Sequence, residues 1–504
     1  MQAATDNHPD PDSCYRALVA RDARFDGLFF TGVKTTGIYC RPVCAVRAPR
    51  RSSCVFFRSA AAAEAAGFRP CLRCRPELAP YALQQNLAFA VWQRIAAGAL
   101  NESESDALDD SPLERLAHDI GLSSRQVRRI LLAHFGVTPV ELAQTQRLLF
   151  AKKLLQETAL PMPDVAYAAG FRSVRRFNAL FASRYRMAPG ALRRAGGDGA
   201  TDGALTIRLA YRPPYAWTQM MRYLATRAIP GVEAVHEAGG ELHYVRSVRL
   251  GGVEGWLRVS HLAARSQVRV EAAGSLAPLL MPLAARVRSQ FDLDANPAAI
   301  EAHLAQDDLL AAAIAQAPGL RVPGAFESFE LAVRAVLGQQ VSVAGATTLA
   351  GRLAARFGQP ASTPYAGAML HFPAPEELAA LAPETVAQVG LPRARAATLV
   401  ALARFAASGG LRFAPGASLD ATVTRLRTVP GIGEWTAQYI ALRALRFPDA
   451  FPAGDLGLQK AAAAAPGARL DERGLQARAA AWAPWRAYAA VLLWHGPAHL
   501  SEET

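Results

Sequence analysis

Past Cys74 the chain contains no cysteine: the six it has, Cys14, Cys40, Cys44, Cys54, Cys71 and Cys74, lie within the first 74 of 504 residues. The C-terminal 430 residues therefore hold neither a disulfide framework nor a thiolate-bound iron-sulfur cluster. No export signal is visible either, since MQAATDNHPD offers neither a basic nor an apolar segment, and a reducing cytoplasm is expected. No apolar run approaches the roughly 18 residues of a membrane span, because Arg, Asp or Pro interrupts even the Ala-rich stretches. A membrane is not an expected partner.

What is present points to a polyanion. The length predicts several domains with separate cores. A formal net charge of +13 and a pI near 9.8 favour nucleic acid or an anionic surface. Residues 1–80 carry 12 Lys and Arg against 7 Asp and Glu, so the basic density peaks near the N-terminus.

Short strand-like runs, Leu28–Val33 and Val55–Phe57, and a helix over Ser59–Ala66 leave residues 1–80 with too little apolar material for an independent core. A helix-like stretch over 81–99 runs into the acidic Asn101–Asp110, and 81–112 is assigned as a linker. Ser111, Pro112 and Glu114 then form a helix start, with N-cap, first-turn proline and capping-box spacing, and 113–195 reads as helices and turns. Within it Gly121–Pro139 and Gly170–Pro189 resemble each other, their glycines 49 residues apart, which makes an internal repeat. Ala195–Ala204, AGGDGATDGA, supplies a second linker at 196–203. Alternating patterns in LTIRLAYRPPYAW, LHYVRSVRL and GWLRVSHL predict an α+β layer over 204–290, followed by a helical body over 291–504.

Cys40-x3-Cys44 and Cys71-x2-Cys74, separated by 26 residues, have the spacing of one tetrahedral four-thiolate zinc site. Zinc would also supply folding energy to a segment poor in core. Spacing alone fits a purely structural ribbon at least as well as a reactive centre. The flanking residues say more: VKTTGIYCRPVC and GFRPCLRC resemble the N-terminal domain of the Ada methylphosphotriester sensors, over nearly all of residues 12–80. That resemblance implies that Cys40 accepts a methyl group from an alkylated DNA phosphate, that Cys44, Cys71 and Cys74 complete the ligands of one zinc, and that Thr35, Thr36, Arg69 and Arg73 meet the DNA backbone. Cys14 and Cys54 fall outside the quartet and are assigned to core packing. Four thiolates around Zn(II) carry about −2, and methylating one leaves about −1, which relieves repulsion of nearby phosphates by on the order of 1 kcal/mol each.

The internal repeat resembles the double helix-turn-helix region of AraC/XylS regulators. Its recognition helices begin near Ser123 and Ser173, leaving Ser124, Arg125, Arg128 and Arg129, then Arg172, Arg175 and Arg176, to meet bases or phosphates about one turn of DNA apart. Phe135, Val165, Phe177, Leu180 and Phe181 recur at helical spacing and are assigned to the core.

Leu426–Ala437, LRTVPGIGEWTA, has the helix-hairpin-helix pattern, in which Gly431 and Gly433 let backbone N–H groups approach a phosphate at a helix N-terminus. Alone it indicates nonspecific DNA binding. FPAGDLGLQKA then places Asp455 22 residues after Gly433. With YRPPYAW, FDLDANP, FESFELAVRAVLGQQVSVAGA and PWRAYAAVLLWHG, the chain from about Leu205 to Gly496 resembles the AlkA-type 3-methyladenine DNA glycosylase II. The resemblance implies that Asp455 is the catalytic carboxylate, that Trp435, Tyr439 and Trp485 surround an extruded base, and that Gln340 is the wedge, where some relatives carry Leu. A monovalent cation is a candidate ligand of the hairpin. An alkylated purine is cationic and leaves readily, so such an enzyme must mainly expose the base, hold it on aromatic faces and stabilise the oxocarbenium sugar. Trp435 stands where strand-nicking relatives carry a Schiff-base lysine, so monofunctional hydrolysis is expected.

The whole chain thus reads as a multidomain regulator and enzyme: a small α+β four-cysteine zinc domain, an all-α double helix-turn-helix, and an α+β plus all-α helix-hairpin-helix glycosylase. Methyl transfer to Cys40, transcription activation and excision of bases such as 3-methyladenine are its expected activities. Double-stranded DNA and RNA polymerase are the expected partners of a monomer working at a bacterial nucleoid. The competing reading is a transcription regulator with structural zinc and an inactive glycosylase fold. Nothing resembles the Pro-Cys-His-Arg motif of alkylguanine methyltransferases, so direct O6-methylguanine reversal is not expected.

Overall fold

The computed structural model describes residues 10–80, 87–101, 111–193, 204–411, 418–463 and 468–495. The linker expected at 196–203 and nearly all of the acidic segment after Asn101 lie outside the described residues.

Helix α1 (Pro11–Ala20) opens the N-terminal module, its free N–H groups capped by the Asp10 carboxylate. Strands β1 (Phe30–Val33), β2 (Ile38–Cys40), β3 (Cys54–Phe57) and β4 (Arg69–Pro70) form a sheet in the order β3-β1-β2-β4, with helix α2 (Ala60–Ala65) capped by Ser59. The β2–β4 pairing is parallel, with Ile38 opposite Arg69 and Tyr39 opposite Pro70. Cys40 and Cys71 therefore leave the sheet side by side. The core is as small as expected: Phe30, Tyr39, Ala60, Ala63 and Ala79 close up only with Leu149 lent from outside, beside a second cluster of Cys14, Ala17 and Phe29. Cys14 and Cys54 are both buried.

The assignment of 81–112 as a linker is corrected. Leu87–Ala96 forms helix α3, whose Phe89, Val91, Trp92 and Ile95 pack with Leu116, Val127, Leu131, Phe135 and Leu142. An apolar helix face of that size needs cover, and the first helix-turn-helix supplies it. Helices α4 (Pro112–Asp119), α5 (Ser124–Phe135), α6 (Pro139–Glu157), α7 (Met162–Ala168) and α8 (Val174–Tyr185) follow. Ser111, Ser123 and Ser173 cap α4, α5 and α8 as their positions predict, Ser123 in a reciprocal capping box with Gln126. Phe135, Val165, Phe177 and Phe181 are buried, and Leu180 packs partly buried against the cluster that holds the last three.

Strands β5 (Ala204–Ala210), β6 (Glu233–Ala238), β7 (Glu241–Leu250), β8 (Val253–Leu262) and β9 (Gln267–Ala273) form an antiparallel sheet in the order β5-β9-β8-β7-β6, flanked by α9 (Trp217–Arg227) and α10 (Leu280–Gln290). The helical body comprises α11 (Pro297–Leu304), α12 (Asp308–Gln316), α13 (Ser328–Leu337), α14 (Val343–Phe357), α15 (Pro375–Ala379) and α16 (Pro383–Ala387). It continues with α17 (Arg393–Ala407), α18 (Leu419–Leu426), α19 (Glu434–Arg443), α20 (Leu456–Ala461), α21 (Glu472–Ala479) and α22 (Arg486–Trp494). The division expected at 290/291 is not a break, because Phe291, Leu293 and Phe326 belong to the sheet's core while Ile229 and Val232 belong to that of the helical body. The sheet's core also runs on into α8, joining Tyr244 and Val259 to Phe177 and Phe181. Among the described residues no helix is long and apolar enough to cross a membrane.

Buried charge ties these parts together. Lys152 of α6, fully buried, binds Glu77 of the N-terminal module at 2.5 Å and the Cys71 carbonyl at 3.3 Å. Arg75 bridges Glu77 at 3.0 Å and Glu157 at 2.8 Å, and Glu157 accepts the Arg208 N–H of β5 at 2.9 Å. Arg212, also fully buried, donates to the carbonyls of Asp26 at 2.9 Å, Pro80 at 3.2 Å and Asp294 at 2.6 Å.

Glu64 lies in the seam between α2 and α6, accepting hydrogen bonds from Tyr39 and Thr145 at 3.0 Å each. Burial pushes its carboxyl up to about 7, against the lowering effect of those two hydroxyls and of Arg184 and Lys152. A carboxyl raised on folding contributes stability that is present below its unfolded value and lost as pH climbs through its folded one. Stability against denaturant should thus fall between about pH 5 and pH 8 by up to about 2–3 kcal/mol from this group. Glu64→Gln should flatten that decline, and an unchanged slope would contradict the burial argument.

Candidate functional site

The parallel β2–β4 pair delivers both cysteine pairs to one place. The sulfurs of Cys40, Cys44, Cys71 and Cys74 all lie within 4.8 Å of one another, which matches four thiolates at about 2.3 Å from a tetrahedral zinc. Backbone N–H groups of Val46, Cys74 and Arg41 are directed at Cys44, Cys71 and Cys74 respectively. Among the described residues no backbone N–H hydrogen-bonds the Cys40 sulfur, and Cys40 is only half-buried. Its lone pairs are the least engaged of the four. Thr35 and Thr36 sit exposed in the β1–β2 turn, next to half-buried Arg69, whose N–H donates to the Gly37 carbonyl at 2.9 Å, and Arg73 is exposed between Cys71 and Cys74.

On α5, Ser124 is half-buried while Arg125, Arg128 and Arg129 are exposed, and Arg172, Arg175 and Arg176 are exposed at the start of α8. Helix α6, 19 residues and so about 28 Å long, joins the two units.

The third site is a cleft of about 760 Å³ between the α/β layer and the helical body. Trp435 and Tyr439 stack along its wall with ring centroids 5.4 Å apart, and Trp494 tilts against Tyr439 at 6.1 Å. Asp455 stands among them as the N-cap of α20, its Oδ1 accepting from the Leu458 N–H at 3.0 Å. Its oxygens also take one indole N–H each, Oδ2 from Trp435 at 3.0 Å and Oδ1 from Trp494 at 3.1 Å. The carboxylate is thereby aimed and cannot swing away. Gly431, at φ +86°, has no room for a side chain, since a Cβ would lie 2.0 Å from Thr398 Oγ1, whereas Gly433 opens the N-terminus of α19 to space. Gln340 is exposed at the cleft's rim in the left-handed region, at φ 56°, in the turn between α13 and α14. Such strain costs a non-glycine residue on the order of 1 kcal/mol and is concentrated at functional sites.

Trp485 requires correction, because it does not line this cleft. It sits before α22 and packs on Tyr488 at 5.8 Å. The nine residues of α22 carry the chain about 13 Å further, and Trp494 at the far end is the aromatic that arrives. Tyr223 of α9 was missed too, although it closes the cleft from the α/β layer. Its ring lies between the guanidiniums of Arg227 at 4.0 Å and Arg443 at 4.9 Å, and Arg443 donates to the Tyr439 hydroxyl at 2.9 Å. The two phenols interact with each other. Burial pushes the Tyr223 phenol up, whereas at Tyr439 the charges of Arg443 and Arg227 outweigh burial and draw the phenol down.

Known families match in the same order along the chain: the metal binding domain of Ada over residues 13–77, a helix-turn-helix domain over 116–195, the AlkA N-terminal domain over 206–327, and the HhH-GPD superfamily of base excision DNA repair proteins over 333–487. A probable bifunctional transcriptional activator/DNA repair enzyme AlkA of Mycobacterium tuberculosis is 40% identical over 493 residues, covering 97% of this chain and 96% of that one. The DNA-3-methyladenine glycosylase 2 of Escherichia coli is 34% identical over 287 residues, 57% of this chain and 96% of the relative. Among solved structures, a 3-methyladenine DNA-glycosylase from Archaeoglobus fulgidus shares the fold over 57% of this chain and 96% of its own, with a TM-score of 0.50 at 20% identity.

Proposed function

Because the chain belongs to the family of AlkA-type bifunctional transcriptional activators and DNA repair enzymes, we propose that it detects alkylation on the DNA backbone through Cys40 and removes alkylated bases through Asp455. Methyl transfer, helix-turn-helix activation and base excision are joined in one chain. The observation that carries the glycosylase half is the carboxylate of Asp455, clamped by two indole N–H groups in an aromatic cleft beside the hairpin.

In that half the N-terminus of α19, opened by Gly433, anchors a DNA phosphate and Gln340 fills the gap left in the duplex. Trp435, Tyr439 and Trp494 receive the extruded base on their faces, which favours a cationic purine. Asp455 then stabilises positive charge as the bond from sugar to base breaks. With tryptophan at 435 there is no amine to form a Schiff base, so the product is an abasic site and a free base. The preferred base is 3-methyladenine.

In the sensor half, zinc held by Cys40, Cys44, Cys71 and Cys74 would keep the sulfurs deprotonated at neutral pH. Cys40 attacks the methyl carbon of a phosphotriester, the methyl–oxygen bond breaks, and a thioether and a phosphodiester anion result. Thr35, Thr36, Arg69 and Arg73 hold the backbone, while the two arginine-bearing helix starts read the operator. RNA polymerase is the partner of the activating function.

Incubating the protein with methylated duplex DNA tests both halves. Free 3-methyladenine should appear in solution, and peptide mass spectrometry should place one methyl group on the Cys40 peptide. Release of no base would defeat the glycosylase assignment, and methyl on another cysteine would defeat that of Cys40.

A further inference from the structure

Gln340 keeps a left-handed backbone, φ 56°, at an exposed turn, which a non-glycine residue does only where its surroundings enforce it. The residue before it reaches into the hairpin. The amide nitrogen of Gln339 donates to the Gly431 carbonyl and to the Thr436 hydroxyl, each at 3.0 Å. A carbonyl can only accept, so the amide must turn its nitrogen to Gly431, and both of its protons are engaged. The Gln339 carbonyl accepts from the Arg395 guanidinium of α17 at 2.7 Å. One turn further along α17, Thr398 lies under Gly431, where an added Cβ would stand 2.0 Å from the Thr398 hydroxyl. The wedge turn and the hairpin therefore share one backing helix besides bonding to each other. On the far side of the turn Ser342 caps α14, its hydroxyl accepting from the Gly345 N–H at 3.1 Å.

We infer that Gln339 is the positioning residue of the Gln340 wedge, tying it to the phosphate-binding hairpin so that seating the hairpin on the DNA backbone presses Gln340 into the base stack. The inference rests on the glycosylase reading above and deepens it, because it assigns a residue to the extrusion step alone. Extrusion holds the backbone at one point while the stack is entered at another, so the distance between anchor and wedge must be fixed. The two bonds from Gln339 straddle the anchor: Gly431 precedes the N-terminus of α19 and Thr436 lies in its first turn. Arg395 supports the same link from behind by holding the Gln339 main chain.

A tether of this kind acts at one stage of the reaction. A paired base has to be drawn out of the stack and the gap filled behind it, whereas a base in a single-nucleotide bulge starts unpaired and extrusion costs it less. Loss of Gln339 should slow release from the first and spare the second. Damage to the aromatic cleft or to Asp455 would slow both alike.

The test is single-turnover release of 3-methyladenine by the full-length protein, from a strand whose one adenine is methylated before annealing, with that base either paired or bulged. Gln339→Met keeps the length of the side chain and removes both donated bonds. It should lower the ratio of paired to bulged release by about tenfold or more, with affinity for undamaged duplex nearly unchanged. Arg395→Met should lower the ratio less. Gln340→Ala should lower it too, and adding Gln339→Met to that variant should cost less than about twofold more, since a tether acts only through what it holds. Equal losses on the paired and bulged substrates, or losses that multiply in full in the double variant, would overturn the proposal. Gln340→Ala that matches the wild type on both substrates also overturns it by removing the wedge, whereas wild-type protein that releases base from neither defeats the glycosylase reading itself.

Discussion

Asp455→Asn should slow the release of methylated bases by about three orders of magnitude with little change in DNA affinity. At about 4 Å and an effective dielectric near 20, a carboxylate and a sugar cation attract by about 4 kcal/mol, and asparagine removes that attraction while keeping the shape. The substitution also disturbs what holds the residue. Trp435 and Trp494 each donate to one carboxylate oxygen. Asparagine presents one oxygen and one NH2 group, so one indole faces another donor. Single-turnover release at saturating protein isolates the chemical step, and anisotropy with uncleaved duplex reports binding. Variant and wild type releasing base at the same rate would remove Asp455 from the mechanism.

The second large effect concerns operator binding. Methylating Cys40 should tighten it by at least tenfold, because each phosphate near the cysteine cluster gains on the order of 1 kcal/mol when the site loses one negative charge. The gain should shrink as salt rises, since exposed charges are screened beyond about 10 Å at 0.1 M ionic strength. Cys40→Ser should take up no methyl and show no tightening after exposure to methylphosphotriester DNA. Zinc content measured alongside separates loss of the acceptor from loss of the metal. Tightening in Cys40→Ser with zinc retained would mean that the switch lies elsewhere.

Local grammar made much of this molecule legible. Ser111 announces a helix start because an N-cap is a property of a few adjacent residues, and the structure uses it as a cap, as it does Ser123 and Ser173. The cysteine quartet and the hairpin glycines were likewise visible from spacing. What depends on distant partners was not. Trp485 and Trp494 look alike in sequence, and only the length of α22 decides which reaches Asp455. Tyr223 lies more than two hundred residues before Tyr439, in a segment whose pattern speaks only of the α/β layer. The helix-like stretch over 81–99 was legible, but not that the apolar face of α3 packs against the first helix-turn-helix rather than serving as a linker. The parallel β2–β4 pairing that unites the cysteines involves two residues of β4, too few to leave an alternating pattern.

Lys152 and Arg212 set a limit on how this protein could have been assembled or could be taken apart. Both lie wholly inside the molecule, and each draws partners from segments that its own module does not contain. A fragment cut after Pro80 would strand Lys152 without Glu77, and removing one partner of a buried charge typically costs about 3–5 kcal/mol, a large share of a domain's stability. The same cut would take two carbonyl acceptors from Arg212. Exchanging the N-terminal module alone would therefore have to restore a carboxylate for Lys152 and carbonyl acceptors for Arg212.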